Sequence, residues 1–224
     1  MTKRGFITIA VVVVAALTVV LLTTLNRPAP EPEPEPKLVI ALDAGHGGRD
    51  PGAVVGDVVE KDINLHLVKH VRDLVDADPT LEAYLIREVD VFIALENRIA
   101  RAEDAGAVMY ITVHANSFSD PEVYGLEVWV DDSVPDEDDS WVLASMLREG
   151  MVAQTGARDR GTREQELYLR HTEMPAVSLE VGYMTNPDEL AKLVDEAYHV
   201  KLAQGIYDGI RQFVDWKYGE EEDQ

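Results

Sequence analysis

The sequence predicts an α/β domain built on a mostly parallel, twisted sheet of about six strands flanked by helices. Two observations support this prediction. Short apolar runs of strand length alternate with segments of helical period along residues 37–218, and alternation of this kind is typical of strand–helix–strand units whose strands lie parallel. The chain also shows no internal repeat. We therefore expect residues 37–218 to form one domain of ordinary size.

The first half of this region contains three predicted strands and two predicted helices. Residues 37–43 contain the apolar run Leu-Val-Ile and form the first strand. Residues 62–77 form a helix, because their apolar side chains recur on one face; these are Ile63, Leu67, Val71, Leu74 and Val75. Residues 81–87 form a strand and residues 95–105 a helix. Residues 107–113, "AVMYITV", are apolar throughout and predict a buried strand.

The second half continues the alternation. Residues 125–130 have the period of two that is typical of a strand, and a helix over residues 139–154 ends near Gly156. Two further strands are predicted at about residues 166–169 and at 176–181. Two helices close the domain, and they cover residues 187–193 and 196–216.

The N-terminal segment predicts a membrane anchor. Residues 6–25 are apolar apart from threonines and carry no charge, and roughly 20 such residues span a bilayer. Lys3 and Arg4 precede the run, so the positive-inside rule places the N terminus in the cytoplasm and the rest of the chain outside. We expect residues 1–25 to be an uncleaved signal anchor. The alternative is a cleaved signal peptide and a secreted domain.

Composition sets further limits. Residues 26–36 alternate proline and glutamate and predict an extended linker, and residues 219–224 form an acidic tail. The chain has 42 acidic against 20 basic residues, which argues against nucleic-acid binding. The excess fits either adaptation to high salt or an ordinary acidic exported domain. Since cysteine is absent, disulfides and cysteine-based metal sites are excluded.

Three predicted strands end in residues that carry chemistry. His46 follows the first strand in a glycine-rich loop, His114 and Asn116 follow the strand at 107–113, and Glu180 ends the strand at 176–181. In open α/β sheets, ligands bind beyond the carboxyl ends of the strands. Two histidines with a carboxylate are a known set of catalytic zinc ligands that leaves one position open for water. The sequence therefore predicts a metal site at this end of the sheet.

The third ligand and the base have structural alternatives. Glu60 opens a helix after the glycine loop and is the candidate ligand, with Asp50 as its competitor. Glu60 is also explained by the preference for carboxylates at helix N-termini. Glu180 follows an apolar strand, where an unpartnered carboxylate is costly. A role as the base beside a metal-bound water would explain a carboxylate at position 180, and so would a structural role as a cap or as half of a salt bridge.

Four other histidines receive no role. His66 and His70 have the i,i+4 spacing of a zinc-binding helix, but both lie opposite the apolar face and predict a solvated surface. His171 and His199 have no partner at a recognisable spacing.

The motifs at these positions resemble a known family. Residues 37–214 are similar in order and spacing to the zinc-dependent N-acetylmuramoyl-L-alanine amidases of the amidase-3 type. The matching stretches are "LDAGHGGRDPGA", "EKDINL", "REVDVFIALENR", "ITVHANS", "GLEVWV", "TGARDRG" and "MPAVSLEVGYMTNPDE". One departure is Ala44, where the family usually has proline, and it should affect the rigidity of the loop and not metal ligation.

The resemblance implies a site. It implies that His46, Glu60 and His114 bind one Zn²⁺ ion and that Glu180 is the catalytic carboxylate. Asn116 and Arg87 are then candidates for orienting the substrate or supporting the ligands. Some family members carry a long insert that blocks the site until a partner displaces it. The segment 131–139 is too short for such an insert, so no obligatory activator is expected.

The implied reaction is hydrolysis of the amide between N-acetylmuramic acid and L-alanine in peptidoglycan. Two alternatives remain. Another zinc hydrolase, such as a peptidoglycan carboxypeptidase, would cut between peptide residues. A catalytically silent wall-binding module would tether the membrane to peptidoglycan, although silent relatives would be expected to lose ligands that this chain keeps. We predict no particular oligomeric state.

Overall fold

The strands alternate with helices as the sequence predicts. A computed structural model describes residues 36–219 of the chain. Its strands are β1 Leu38–Ala44, β2 Val54–Val55, β3 Val58–Val59, β4 Leu81–Leu85, β5 Met109–Asn116, β6 Leu126–Asp131, β7 Asp159–Gln165 and β8 Ala176–Tyr183. Its helices are α1 Glu60–Ala77, α2 Leu95–Asp104, α3 Asp139–Thr155, α4 Pro187–Leu193 and α5 Glu196–Tyr218, with a 3₁₀ turn at Tyr168–His171.

Six strands form one sheet in the order β4-β1-β5-β8-β6-β7. All neighbouring pairs are parallel except β6 and β8, which are antiparallel. The prediction of a mostly parallel six-stranded sheet flanked by helices is confirmed. β2 and β3 form a separate small hairpin between β1 and α1. Its strands are only two residues long, so they leave no pattern in the sequence from which a hairpin could be predicted.

The two faces of the sheet differ in cover. On one face α1, α3 and α5 pack against apolar strand residues such as Leu42, Ile111 and Leu179, which form the main core. The opposite face is covered by a smaller cluster that joins α2 and the 3₁₀ turn to Ala41, Tyr110 and Ala176. Polar strand positions share this second face, because successive side chains alternate across a sheet.

The strand register brings the polar positions side by side. Thr112 pairs with Ser178, and His114 pairs with Glu180 on the neighbouring strand β8. Glu127 on β6 lies opposite Glu180 from the other side. The register between β5 and β8 shifts after His114, and such irregularities are common beside active sites, where they redirect a side chain.

The prediction of a strand at residues 166–169 is wrong. The strand in this region is β7, with the sequence "DRGTREQ", and residues 168–171 form the 3₁₀ turn. β7 is an edge strand and carries no large apolar side chain, so its sequence gave no hydrophobic pattern. Leu167, Tyr168 and Leu169 are apolar because they pack in the smaller cluster under the sheet.

The other edge strand is β4, which lies beside α1. Its backbone amide at Ala83 donates to the carboxylate of Asp76 in α1 at 2.9 Å. A side chain of the covering helix therefore satisfies this amide at the edge of the sheet.

The predicted anchor at residues 6–25, nearly all of the linker and the tail from residue 220 lie outside the described residues. Between residues 36 and 219, no helix has the length and hydropathy needed to cross a membrane.

Candidate metal centre and active site

His46 lies two residues beyond β1 and is held by both its backbone and its ring. Its φ of 63° is the only positive value at a non-glycine residue between positions 36 and 219, and such conformations cluster at functional sites. Its Nδ1 lies 2.9 Å from the carboxylate of Asp50. With a hydrogen on Nδ1, the opposite nitrogen Nε2 is free to bind a ligand, and it lies 3.1 Å from Glu60.

Glu60 is the first residue of α1 and is only 5 % exposed. Its Oε1 lies 3.1 Å from Nε2 of His46 and 3.0 Å from Nδ1 of His114. Its Oε2 accepts a hydrogen bond from the backbone amide of Ala53. Burial opposes ionisation of Glu60, but hydrogen bonds from His114 and His46 hold its pKa well below the usual range. A preference for the helix N-terminus alone does not account for two histidines converging on one oxygen.

His114 completes the group from β5. Its ring is nearly perpendicular to that of His46, with centroids 4.9 Å apart. One donor atom each from His46, Glu60 and His114 lies within 4.8 Å of the other two. The structure thus brings the three predicted ligands together. Asp50, the competitor for the third position, contacts the far nitrogen of His46 and is placed to orient that ring.

Glycines leave space for these side chains. A Cβ atom at Gly45 would overlap the imidazole of His114, and one at Gly52 would overlap the carboxylate of Glu60. Gly52 also has a φ of 68°, which favours glycine. The glycines of the loop after β1 therefore allow the backbone to approach the ligand side chains closely.

Gly45→Ala should weaken metal binding more than it lowers the melting temperature. The added methyl group must displace the His114 ring, which has room to move because it is only half-buried. Isothermal titration with zinc and thermal melting of the metal-free protein measure the two effects. Gly56→Ala is the control for zinc affinity only: nothing lies within 4 Å of a Cβ at that position, so the metal site is untouched, whereas its φ of 59° makes alanine there lower the melting temperature. Unchanged zinc affinity in Gly45→Ala would contradict the close approach.

Glu180 lies beside the three residues on the neighbouring strand. Its Oε2 is fully enclosed and has no hydrogen-bond partner among residues 36–219. Burial, and then the negative charges of Glu60 and Glu127, raise the pKa of Glu180 well above its usual value. Glu127 itself is paired, since Arg160 and Arg163 each contact its Oε2 within 3.0 Å. Glu180 has no such cation, so a structural salt bridge does not explain it.

Asn116 and Arg87 support the site from different sides. Asn116 donates to Glu127 at 3.1 Å, next to the hydroxyl of Tyr183. Arg87 is 3 % exposed and donates to backbone carbonyls of Ala44, Gly45 and Lys61. Of the two roles predicted for Arg87, the geometry favours support: its guanidinium ties the loop after β1 to the start of α1.

A buried ion pair beneath the loop was not singled out from the sequence. Arg98 contacts Asp43 at 2.6 Å and donates to the carbonyl of His46. The hydroxyl of Tyr110 donates to the other oxygen of Asp43 at 2.5 Å. The available signal was Asp43 at the end of an apolar strand, since a buried carboxylate requires a partner.

A cavity of about 420 Å³ opens beside the two histidines on the less covered face of the sheet. Its polar wall includes Asp43, His46 and His114, and its outer wall includes Phe92 and Tyr168. A substrate in this cavity would contact both histidine rings. The arrangement therefore has a three-residue metal-binding group, an unpaired carboxylate on the neighbouring strand and a space for substrate beside the two histidines.

Comparisons with known proteins agree with this geometry. The amidase-3 family model, described as N-acetylmuramoyl-L-alanine amidase, matches residues 40–212. LytC of Bacillus subtilis, an N-acetylmuramoyl-L-alanine amidase, is 33 % identical over 171 residues, which are 76 % of this chain and 34 % of LytC.

Two solved structures share the fold. The amidase from Clostridium difficile 630 has a TM-score of 0.78 and 29 % identity, covering 82 % of this chain and 100 % of its own. The catalytic domain of CwlV from Bacillus (Paenibacillus) polymyxa var. colistinus has a TM-score of 0.75 and 37 % identity, covering 80 % and 99 %. Fold, site geometry and sequence together show that this chain belongs to the amidase-3 family of N-acetylmuramoyl-L-alanine amidases.

Proposed function

We propose that the protein is a zinc-dependent amidase that hydrolyses the bond between N-acetylmuramic acid and L-alanine in peptidoglycan. The observation that carries this proposal is the convergence of His46 and His114 on one oxygen of Glu60, beside the unpaired carboxylate of Glu180. Family membership supplies the substrate class.

The donor set fits zinc. Two histidine nitrogens and a carboxylate oxygen are ordinary ligands of catalytic zinc. Donor atoms bound at about 2.0–2.1 Å in a tetrahedron lie roughly 3.3 Å apart, and the oxygen of Glu60 lies 3.0 and 3.1 Å from the two nitrogens. The contact between Asp50 and His46 matches the carboxylate–histidine pairs that orient zinc ligands.

Bound zinc would polarise the scissile carbonyl and lower the pKa of water toward about 7. Glu180 then accepts the proton of the attacking water and delivers it to the leaving amine of L-alanine. Its enclosed position and raised pKa suit this role, because a carboxylate with a higher pKa is a stronger proton acceptor near neutral pH. Asp50 fixes the ring of His46, while Arg87 and Arg98 hold the loop that carries it.

Purified residues 37–224 with zinc should digest peptidoglycan without any other protein. Activity without an activator is expected because residues 132–138 alone connect β6 to α3. Mass spectrometry should find stem peptides with a free L-alanine amine and glycan with a free lactyl carboxyl group. Treatment with 1,10-phenanthroline should abolish the reaction, and added zinc should restore it.

The same digest separates the alternatives. A carboxypeptidase would release single amino acids and leave the sugar–alanine bond intact. A silent wall-binding module would retain the polymer and release nothing. Dependence on an added partner protein would contradict the absence of an activator.

On this proposal, the catalytic domain acts outside the cytoplasmic membrane and is held there by residues 6–25. The charge distribution around this apolar run supports the orientation. Full-length protein should stay with membranes through an alkaline carbonate wash, and protease added from outside should cut in the proline-glutamate linker. A soluble form that begins after residue 25 would support signal-peptide cleavage instead.

A further inference from the structure

A second group of metal-binding side chains lies between α1 and α5. It consists of His70, Glu196 and His199. His70 lies ten residues after Glu60, or roughly 15 Å along the axis of α1, so the group is separate from the candidate active site. The proposed amidase reaction uses none of its members.

The three side chains converge as ligands do. Nε2 of His70 lies 3.0 Å from Oε1 of Glu196. The rings of His70 and His199 have centroids 6.2 Å apart and an interplanar angle of 75°. One donor atom from each residue lies within 4.8 Å of the other two. The prediction of a solvated face therefore holds for His66, which is exposed, but is wrong for His70, which is partly buried against α5.

His199 provides an independent sign of a ligand. Its side chain is almost fully enclosed, with 4 % of the residue exposed. Its Nε2 lies 2.6 Å from the carbonyl of Leu193. Because a carbonyl can only accept, Nε2 carries the hydrogen and Nδ1 has a free lone pair. That Nδ1 is buried and has no partner among the described residues.

This arrangement matches the usual environment of a metal-bound histidine. Such a histidine donates its second ring N–H to a carboxylate or a backbone carbonyl, which fixes the tautomer and orients the ring. A buried nitrogen without a partner is otherwise unfavourable. A metal ion would satisfy it.

We propose that His70, Glu196 and His199 form a second zinc site that joins α1 to the start of α5. Two imidazoles and a carboxylate favour zinc among the common divalent ions of the cell, whereas calcium and magnesium prefer all-oxygen sites. A neighbouring cavity of about 240 Å³, lined by His199, Glu196 and Asp62, gives access from solvent. The site is structural, because its three side chains join α1 to the start of α5, two helices that pack against each other.

Zinc alone is the probe for the test. Full-length protein, purified in detergent and dialysed against low zinc, should retain one more zinc equivalent by elemental analysis than the His70→Ala variant. His114→Ala, which disrupts the first site, should still hold one equivalent. The double variant should hold none. His171→Ala is the control, because His171 is exposed and belongs to neither group of converging donors, and it should retain the second ion.

Thermal melting gives a second readout. Zinc at 100 times its dissociation constant should raise the melting temperature of His114→Ala by roughly 5–10 °C, and His70→Ala should abolish that rise. Glu196→Gln tests the carboxylate of the second site. Its side chain is exposed, so the substitution does not endanger folding, and it should weaken zinc binding. His70→Ala should keep peptidoglycan hydrolysis near the parental rate.

Two results would overturn the proposal. One is equal zinc content in the parent and in His70→Ala. The other is a zinc-dependent rise in melting temperature of His114→Ala that persists after His70 is also replaced. Failure of the first site alone would leave the difference between the parent and His70→Ala intact, so the two proposals are tested separately.

Discussion

Glu180→Gln should lower the rate of peptidoglycan hydrolysis by about 10²–10⁴-fold, the usual contribution of a general base. This corresponds to roughly 3–5 kcal/mol of transition-state stabilisation. Glutamine keeps the size of the side chain but cannot accept the proton of water. Zinc content should remain at the parental level, because Glu180 is not among the three converging donors. Single-turnover kinetics and elemental analysis on the same preparation measure both quantities.

Stability distinguishes a catalytic from a structural carboxylate. Burial and neighbouring charges raise the pKa of Glu180 in the folded protein. The metal-free protein therefore loses stability as pH rises from the unfolded-state pKa toward the folded-state pKa, because folding then requires Glu180 to take up a proton. Glutamine mimics the protonated acid, so the metal-free variant should melt at or above the parental temperature at neutral pH. Glu127→Gln is the contrast, because Glu127 is paired with two arginines and its loss should lower stability.

Retention of more than about a tenth of parental activity by zinc-loaded Glu180→Gln would be a smaller loss than general-base catalysis allows. The base would then have to be another group of the site.

His114→Ala should lose zinc at the first site and, with it, hydrolytic activity. The Nδ1 atom of His114 is one of three converging donors. Loss of an outer partner of a metal ligand typically costs about 10–100-fold in affinity, and removal of the ligand itself should cost more. The fold should persist, because the ring is only half-buried.

Asp50→Asn is the matched control for this experiment. It removes the charge that orients His46 but leaves all three donors in place. Its zinc affinity should fall within the range of about 10–100-fold. If His114→Ala retains as much zinc as the parent at the first site, the proposed ligand set is wrong.

The sequence was sufficient to predict secondary structure and site residues wherever the pattern of side chains reflects burial. The strands β1, β5 and β8 are apolar and end in polar residues, so their positions and their shared edge were predictable. The choice between Glu60 and Asp50 required the three-dimensional position of each carboxylate. Asp50 reaches the outer nitrogen of His46, whereas Glu60 reaches both rings.

Other features left no local pattern in the sequence. β7 is held by backbone pairing at one side only, so its side chains need not be apolar. His70 and His199 are 129 positions apart in the chain and meet only because α1 packs against α5. Arg87 has the same sequence signature whether it faces substrate or the interior, and only its carbonyl partners distinguish the two.

The edge strands also bear on how the protein behaves at high concentration. Unpaired backbone at a sheet edge is a template on which a second chain can add a strand and begin aggregation. At β4 the carboxylate of Asp76 already occupies the amide of Ala83. At β7 an incoming strand would have to desolvate four charged residues, which are Asp159, Arg160, Arg163 and Glu164. Both ends of the sheet therefore resist strand addition, and copies of the domain at high concentration are protected from forming intermolecular β-structure.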